Sequence, residues 1–409
     1  MTAPRALALS AAVGVAALAL TGCVAKADVA ASDALTVTST DTACTVSAPK
    51  ATSGTLAFDV SNTGSQVTEF YLLADDGLRI IGEVENVAPG ATRTLTLVAQ
   101  PGDYYTLCKP GMVGDGVGKA SFTVSGEKVK AEGSDAAQKK KAVDLYAAFV
   151  KDQTGQLLPA VKTFAAVYEK GDDAAAKEQF PRVRSFYERI EPIAESLGDL
   201  DPKIDFREVD AKADGIPWTG FHRIEKDLWV PAKNALNADD ATPAWKDWVP
   251  STPAERATIG AQLVTDVQSL YDYVHGGQFV AALEEQGVAG LSNGAISLLD
   301  EVAKNKITGE EDWWSGTDLW DFAANVEGSK MAFSLVRDLA GSAGSDGTAL
   351  VAKIDKGYQE LQAKLATYGD ADKGYVAYGK LTDQDRRDLT DLINRLAEPL
   401  SQLTQTILS

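Results

Sequence analysis

The chain predicts two folded units in series, an all-β sandwich followed by an all-α helical bundle. Residues 34–126 alternate apolar and polar side chains, are enriched in β-branched residues and are punctuated by Gly, Pro and Asn turns. From residue 141 to the end, apolar residues recur at spacings of three and four, the period of a helix with one buried face. Between the two lies a polar, charged stretch without period, EKVKAEGSDAAQKKK, which reads as a linker over residues 127–140 running into the first helix. Each half is long enough to bury a core of its own.

Residues 1–22 begin with Arg5, continue with an apolar run from Ala6 to Leu20 and close on small residues before Cys23. The run is too short to span a bilayer and reads as an export signal. LTGC also resembles the bacterial lipobox, so Cys23 is the expected lipidation site and residues 23–33 a tether. An ordinary secreted chain with a leftover thiol is the alternative. Roughly 385 residues then remain, enough for two domains, and no later segment is apolar for long enough to cross a membrane.

In the sandwich, SGTLAFDVSN, TEFYLLA, TRTLTLVA and KASFTVSG are the expected strands of a small antiparallel sandwich, separated by the turn signals NTGS, DDG, APG and QPGD. Cys44 and Cys108 are the only cysteines left to pair. An exported location permits a disulfide between them, and closing so long a loop would stabilise the fold by roughly 4 kcal/mol. A pair of soft metal ligands is the competing reading.

The helical half contains at least six amphipathic runs, starting at AVDLYAAFVKDQTG, FPRVRSFYERIEP, ERATIGAQLV, LSNGAISLLD, LWDFAANVEG and QDRRDLTDLI. Asp172 and Ser292 read as helix starts and Gly341 as a stop. Packing such helices on one another gives a bundle.

With 58 Asp plus Glu against 39 Lys plus Arg, the formal net charge is −19. Nucleic acid is excluded as a natural partner, and a cation is the better ligand. GFHRIEKDLW holds His222 and Glu225, three residues apart and so on one face of a helix. Imidazole nitrogen with carboxylate oxygen suits Fe, Zn, Mn or Cu; a core or capping histidine is the alternative. The carboxylates in nearby helical stretches strengthen the metal reading: Glu188, Glu191 and Glu195, then Asp201, Asp205, Glu208 and Asp210, and later Glu310, Glu311, Asp318, Asp321 and Glu327. The H-E-x-x-H signature of zinc proteases is absent. The second histidine, His275 in DYVHGG, reads as a helix C-terminal residue interacting with the dipole.

GFHRIEKDLW, FYERIEPIAESLGDLDPKIDFRE and NKITGEED with TDLWDFAANVEG resemble the imelysin-like domain of the EfeO family. Cys44, ENVAPG and PGDYYTLC resemble that family's cupredoxin-like domain, so the expected fold is a cupredoxin-like Greek-key sandwich joined to an imelysin-like bundle. The resemblance implies an iron-binding component of an EfeUOB-type uptake system. It would deliver ferric or ferrous iron to a membrane permease of the EfeU type and work with a haem-containing, dye-decolorising peroxidase of the EfeB type. Carried onto this chain, the resemblance implies His222 and Glu225 as metal ligands, joined by Glu327, Asp239 and Glu191 from elsewhere in the bundle. It implies a second, carboxylate-rich metal site in the sandwich from Glu69, Glu83, Glu85, Cys44 and Cys108, for iron, copper or zinc. A blue-copper centre is excluded, because residues 24–126 contain no histidine. Where many relatives read SHTDLWDF this chain has Gly316; if that histidine is a ligand in the relatives, the site here is poorer in nitrogen and harder, which favours ferric iron over zinc. The expected role is that of a transport protein, not an enzyme, held on the outer face of the cytoplasmic membrane through Cys23; an imelysin-like metallopeptidase is the alternative.

Overall fold

The computed structural model describes residues 34–409 apart from 76, 78–79, 113–115, 130–135, 192, 194–197 and 239–240, and the side chains of 304–305. The expected signal, Cys23 and Asp239 lie outside the described residues.

Among the described residues nine strands form the first half: β1 (Leu35–Ser39), β2 (Cys44–Val46), β3 (Lys50–Thr52), β4 (Gly54–Asn62), β5 (Thr68–Leu73), β6 (Ile80–Val87), β7 (Thr92–Ala99), β8 (Gly102–Cys108) and β9 (Val117–Ser125). They make two sheets, ordered β2-β1-β4-β7 and β3-β9-β8-β5-β6. The inward side chains of both meet in one core, where Phe58 packs on Phe70 and Phe122 with ring centroids 5.2 and 5.6 Å apart. The expectation of a purely antiparallel sandwich is corrected: β1 pairs with β4, and β3 with β9, in parallel. The chain crosses from one sheet to the other between β2 and β3, so both short strands lie beside later strands that run in the same sense. Cys44 and Cys108 form a disulfide across the sandwich, which leaves neither sulfur as a thiolate ligand.

The second half contains α1 (Ala136–Glu169), α2 (Asp173–Glu188), α3 (Leu200–Ile204), α4 (Glu208–Ala213), α5 (Gly220–Leu228), α6 (Pro253–His275), α7 (Gly277–Glu301), a π-helical turn (Val302–Lys306), α8 (Asp318–Gly341), α9 (Gly344–Leu365), α10 (Asp383–Leu400) and α11 (Leu403–Leu408). Asp172 caps α2 by accepting from the Ala175 amide at 3.3 Å, and α8 stops at Gly341. Ser292 starts nothing: it is buried inside α7, where its hydroxyl satisfies the Val288 carbonyl, because the helix continues past a kink at Gly287. Among the described residues no helix is long and apolar enough to cross a membrane.

The sandwich is fastened to the bundle through α7, which packs on β6 and β7. Arg93 pairs with the buried Asp300 at 2.8 Å, the Asn86 amide donates to the Asp300 carbonyl at 2.8 Å, and the Asn293 amide donates to the Thr96 carbonyl at 2.9 Å.

The disulfide closes a loop with a sequence separation of 64 residues. Replacing both cysteines by serine is expected to lower stability by about 4 kcal/mol on the chain-entropy model. Guanidinium unfolding of the variant beside the oxidised parent measures this, and coincident midpoints would contradict it.

Candidate metal centre

Helix α5 is short and buried almost all round, with His222, Glu225, Lys226 and Asp227 all withdrawn from solvent. So many polar groups can be buried only if each finds a partner. Gly220 starts the helix at φ 82°, with its Cα so close to the Ile204 carbonyl that a β-carbon would lie 2.2 Å from that oxygen. This contact of backbone on backbone brings Asp205, the next residue of the α3 segment, within 3.7 Å of the His222 Nε2.

His222 lies at the middle of a carboxylate cage. Its Nδ1 is 3.1 Å from Glu225 Oε2 and its Nε2 is 3.2 Å from Glu311 Oε1. Asp312 Oδ1 stands 3.9 Å from Nδ1. Two triads therefore have ligand atoms within 4.8 Å of one another, one on each edge of the ring: His222 with Glu225 and Asp312, and His222 with Asp205 and Glu311. Glu311 and Asp312 enter on the loop before α8. The turn passes through Gly316 at φ 67°, and there the Trp314 and Ser315 amides donate to Glu225 Oε1 at 3.0 and 2.8 Å. Glu225 is thereby fixed, with its second oxygen aimed at His222. A pocket lined by His222, Glu225, Glu311, Arg207, Asn237 and Trp314 leads to the cage.

A third triad, Glu188, Glu191 and Asp205, adjoins the cage and shares Asp205 with it. The Lys306 ammonium, fully buried, lies 3.0 Å from Glu188, 3.1 Å from Glu191 and 2.9 Å from Glu301. Arg184 is a second fully buried cation beside these carboxylates. It pairs with Glu188, Asp205, Glu311, Asp312 and Asp321.

Burial and the charge of Arg184 push the His222 pKa down, but the hydrogen bonds to Glu225 and Glu311 and the charge of Asp205 outweigh them and raise it to about 10. The metal-free ring is thus an imidazolium donating from both nitrogens. Burial drives Asp312 well above the carboxylate range, aided by the charges of Glu225 and Asp318 and against that of Arg184. Burial likewise raises Glu191, with Glu188 and Glu301 adding to it. Glu311 goes the other way: burial raises it, and Lys306 and then His222 pull it well below the usual range. Three buried carboxylate oxygens by the His222 ring and the start of α8, Asp312 Oδ1, Asp318 Oδ2 and Asp321 Oδ1, have no hydrogen-bond partner among the described residues. An orphaned buried acceptor costs free energy unless something else satisfies it.

The structure brings His222 and Glu225 together and puts Glu191 in the adjoining triad. Glu327 lies elsewhere: it is half exposed and paired with Arg189 at 2.7 Å, so it reaches neither triad. Asp205, Glu311 and Asp312 stand in its place. All three are in stretches rich in acids, and the EED run just before α8 was the available signal. In the sandwich, Glu69 accepts from the buried Tyr71 hydroxyl at 2.5 Å. Burial and then the charges of Glu69, Glu83 and Glu85 raise that phenol well above its ordinary value. Cys44 and Cys108 are bonded to each other. His275 ends α6 and stacks on Tyr271 with ring centroids 3.9 Å apart, remote from metal chemistry.

The imelysin family model matches residues 142–403 and the cupredoxin-like domain model residues 12–119. The chain is 37% identical over 375 residues to the iron uptake system component EfeO of Escherichia coli K12, covering 90% of this chain and 89% of that one. The chain belongs to the EfeO family. EfeO of Shigella flexneri matches equally, at 37% identity over the same length. A solved structure described as an iron-regulated protein A precursor from Parabacteroides distasonis shares 15% identity and a TM-score of 0.44, covering 69% of this chain and 97% of that one. The EfeO relatives are named as a transport component, and the two-domain order of cupredoxin-like sandwich and imelysin-like bundle is that of the family.

Because the folded pKa of His222 lies above its unfolded value of about 6.5, the imidazolium stabilises the metal-free fold fully below that pH. Its contribution is lost as pH rises through about 10. With His275 the only other histidine, nitrogen NMR of a histidine-labelled sample separates the two. The His222 ring is expected to stay protonated through pH 8, whereas its titration near 6.5 would contradict the electrostatics of the cage.

Proposed function

We propose that this protein captures iron outside the cytoplasm and hands it to a membrane iron permease of the EfeU type, alongside a haem-containing peroxidase of the EfeB type. Residues 1–22 serve as its export signal, and lipidated Cys23, followed by a tether to residue 33, holds it on the outer face of the membrane. Iron is cargo here, and the protein is a carrier, not a catalyst.

The observation that carries the reading is the buried edge formed by His222 Nδ1, Glu225 Oε2 and Asp312 Oδ1, an oxygen that accepts no hydrogen bond and meets Arg184 only at 3.6 Å. A cation at this edge gives Asp312 Oδ1 a close partner and takes the place of the Nδ1 proton. The opposite Nε2–H then donates to Glu311, as a metal-bound histidine commonly donates its second N–H to a carboxylate. One nitrogen among oxygens is a hard donor set, which suits iron better than softer ions. The metal-free His222 ring carries a proton on Nδ1, and burial raises Asp312 above the carboxylate range, so capture releases protons and acid favours release.

Calorimetric or competition titration with ferric citrate tests the assignment. The parent is expected to bind one ion in the bundle, with affinity falling progressively as pH drops below about 10, the value to which the metal-free His222 is raised. His222→Ala and Asp312→Ala are each expected to weaken it by roughly tenfold or more, while Glu327→Ala leaves it unchanged. Parent-like affinity in His222→Ala, or an affinity independent of pH, would refute the site.

A further inference from the structure

Arg184 is the largest fully buried side chain of the bundle. Its helix, α2, presents it between the faces of Phe180 and Phe221, with ring centroids 5.7 and 5.6 Å from the guanidinium carbon. The guanidinium pairs with Glu188 at 2.5 Å, Asp321 at 3.0 Å, Glu311 at 3.3 Å and Asp312 at 3.6 Å, and with Asp205. Three of these five, Asp205, Glu311 and Asp312, also face the His222 ring. A permanent cation therefore sits where the anions of the candidate site converge, and it cannot shed its charge, since arginine does not deprotonate in proteins.

That placement has two opposed effects. In the metal-free protein the guanidinium keeps a dense group of carboxylates from repelling one another apart, so the cage is assembled before iron arrives. Once a multivalent cation is bound, the same positive charge repels it across a water-poor interior, where Coulomb interactions are weakly screened. A residue placed only to build a tight site would not be a cation. A carrier, which must let its cargo go, gains from one.

We propose that Arg184 is the release-determining residue of the cage, an internal counter-ion that preorganises the empty site and holds down the affinity and residence time of bound iron. This rests on the reading that iron binds beside His222. Arg184 touches no metal in this account and acts through Asp205, Glu311 and Asp312, so it is a positioning residue.

The test uses the full chain with ferric citrate as the probe, in the parent, Arg184→Gln, Arg184→Lys and His222→Ala. Affinity is read by citrate competition, and release by stopped-flow transfer to excess EDTA. Arg184→Gln is expected to bind about tenfold or more tightly, mostly through slower release. It is also expected to melt at a lower temperature when metal-free and at no lower temperature when loaded. Arg184→Lys, which keeps the charge, is expected to keep the parent's affinity and release rate. If Arg184→Gln is unfolded without metal, ferric citrate is expected to restore its fold; a chain that stays unfolded with the ion overturns the proposal. Equal or weaker binding with an unchanged release rate in Arg184→Gln also overturns it, provided that the parent binds and His222→Ala does not. Parent-like binding by His222→Ala, or no binding by the parent, overturns the site reading and this inference together.

Discussion

The bundle is organised around an excess of buried negative charge. Glu188, Glu191, Asp205, Glu225, Glu311, Asp312, Asp318 and Asp321 are all withdrawn from solvent, and Arg184, Lys306 and His222 are the positive groups in contact with them. Carboxylates in a poorly screened interior must be paired, hydrogen-bonded or protonated. The first two are present as ion pairs to Arg184 and Lys306 and backbone amides on Glu225, and burial pushes Asp312, Asp321 and Glu191 well above the carboxylate range, toward the third. A cage that must recruit protons and long cations to stay together has a standing demand for a better cation, and its chemistry follows from that demand.

The surrounding fold serves the same end. The close approach of Gly220 to Ile204 delivers Asp205, and the turn through Gly316 delivers Glu311, Asp312 and two amides for Glu225. The sandwich also connects to this region. Arg93 and Asn86 clamp Asp300, the neighbour of Glu301, and one π-helical turn later Lys306 closes on Glu301, Glu188 and Glu191. The two halves of the chain are thus joined directly beside the charged core.

Much of this was legible in the sequence. Periodicity separates sandwich from bundle, and the spacing of His222 and Glu225 puts both on one buried edge of α5. What failed was helix phase and pairing across distance. In α8, Asp318, Asp321 and Asn325 face inward at spacings of three and four; Glu327, two residues beyond Asn325, is turned roughly 200° around the axis and meets Arg189 at the surface. The roles of Asp205, Glu311 and Asp312 depend on loops folding back onto α5, which no local pattern records. Arg184 and Lys306 were invisible for a related reason: a long basic side chain reads as a surface residue until the carboxylates around it are known. The parallel pairing of β1 with β4 escaped because alternation fixes which face a side chain takes and says nothing of strand direction.

The central claim is that the cage beside His222, where Asp312 Oδ1 accepts no hydrogen bond, is where iron binds. Anomalous scattering at the iron edge from crystals of the iron-loaded protein tests it most directly. The expected result is a dominant peak within bonding distance of His222 Nδ1, Glu225 and Asp312, with Glu311 still hydrogen-bonded to the far side of the ring. A dominant peak in the sandwich, or among Glu188, Glu191 and Lys306 with none at His222, would contradict it.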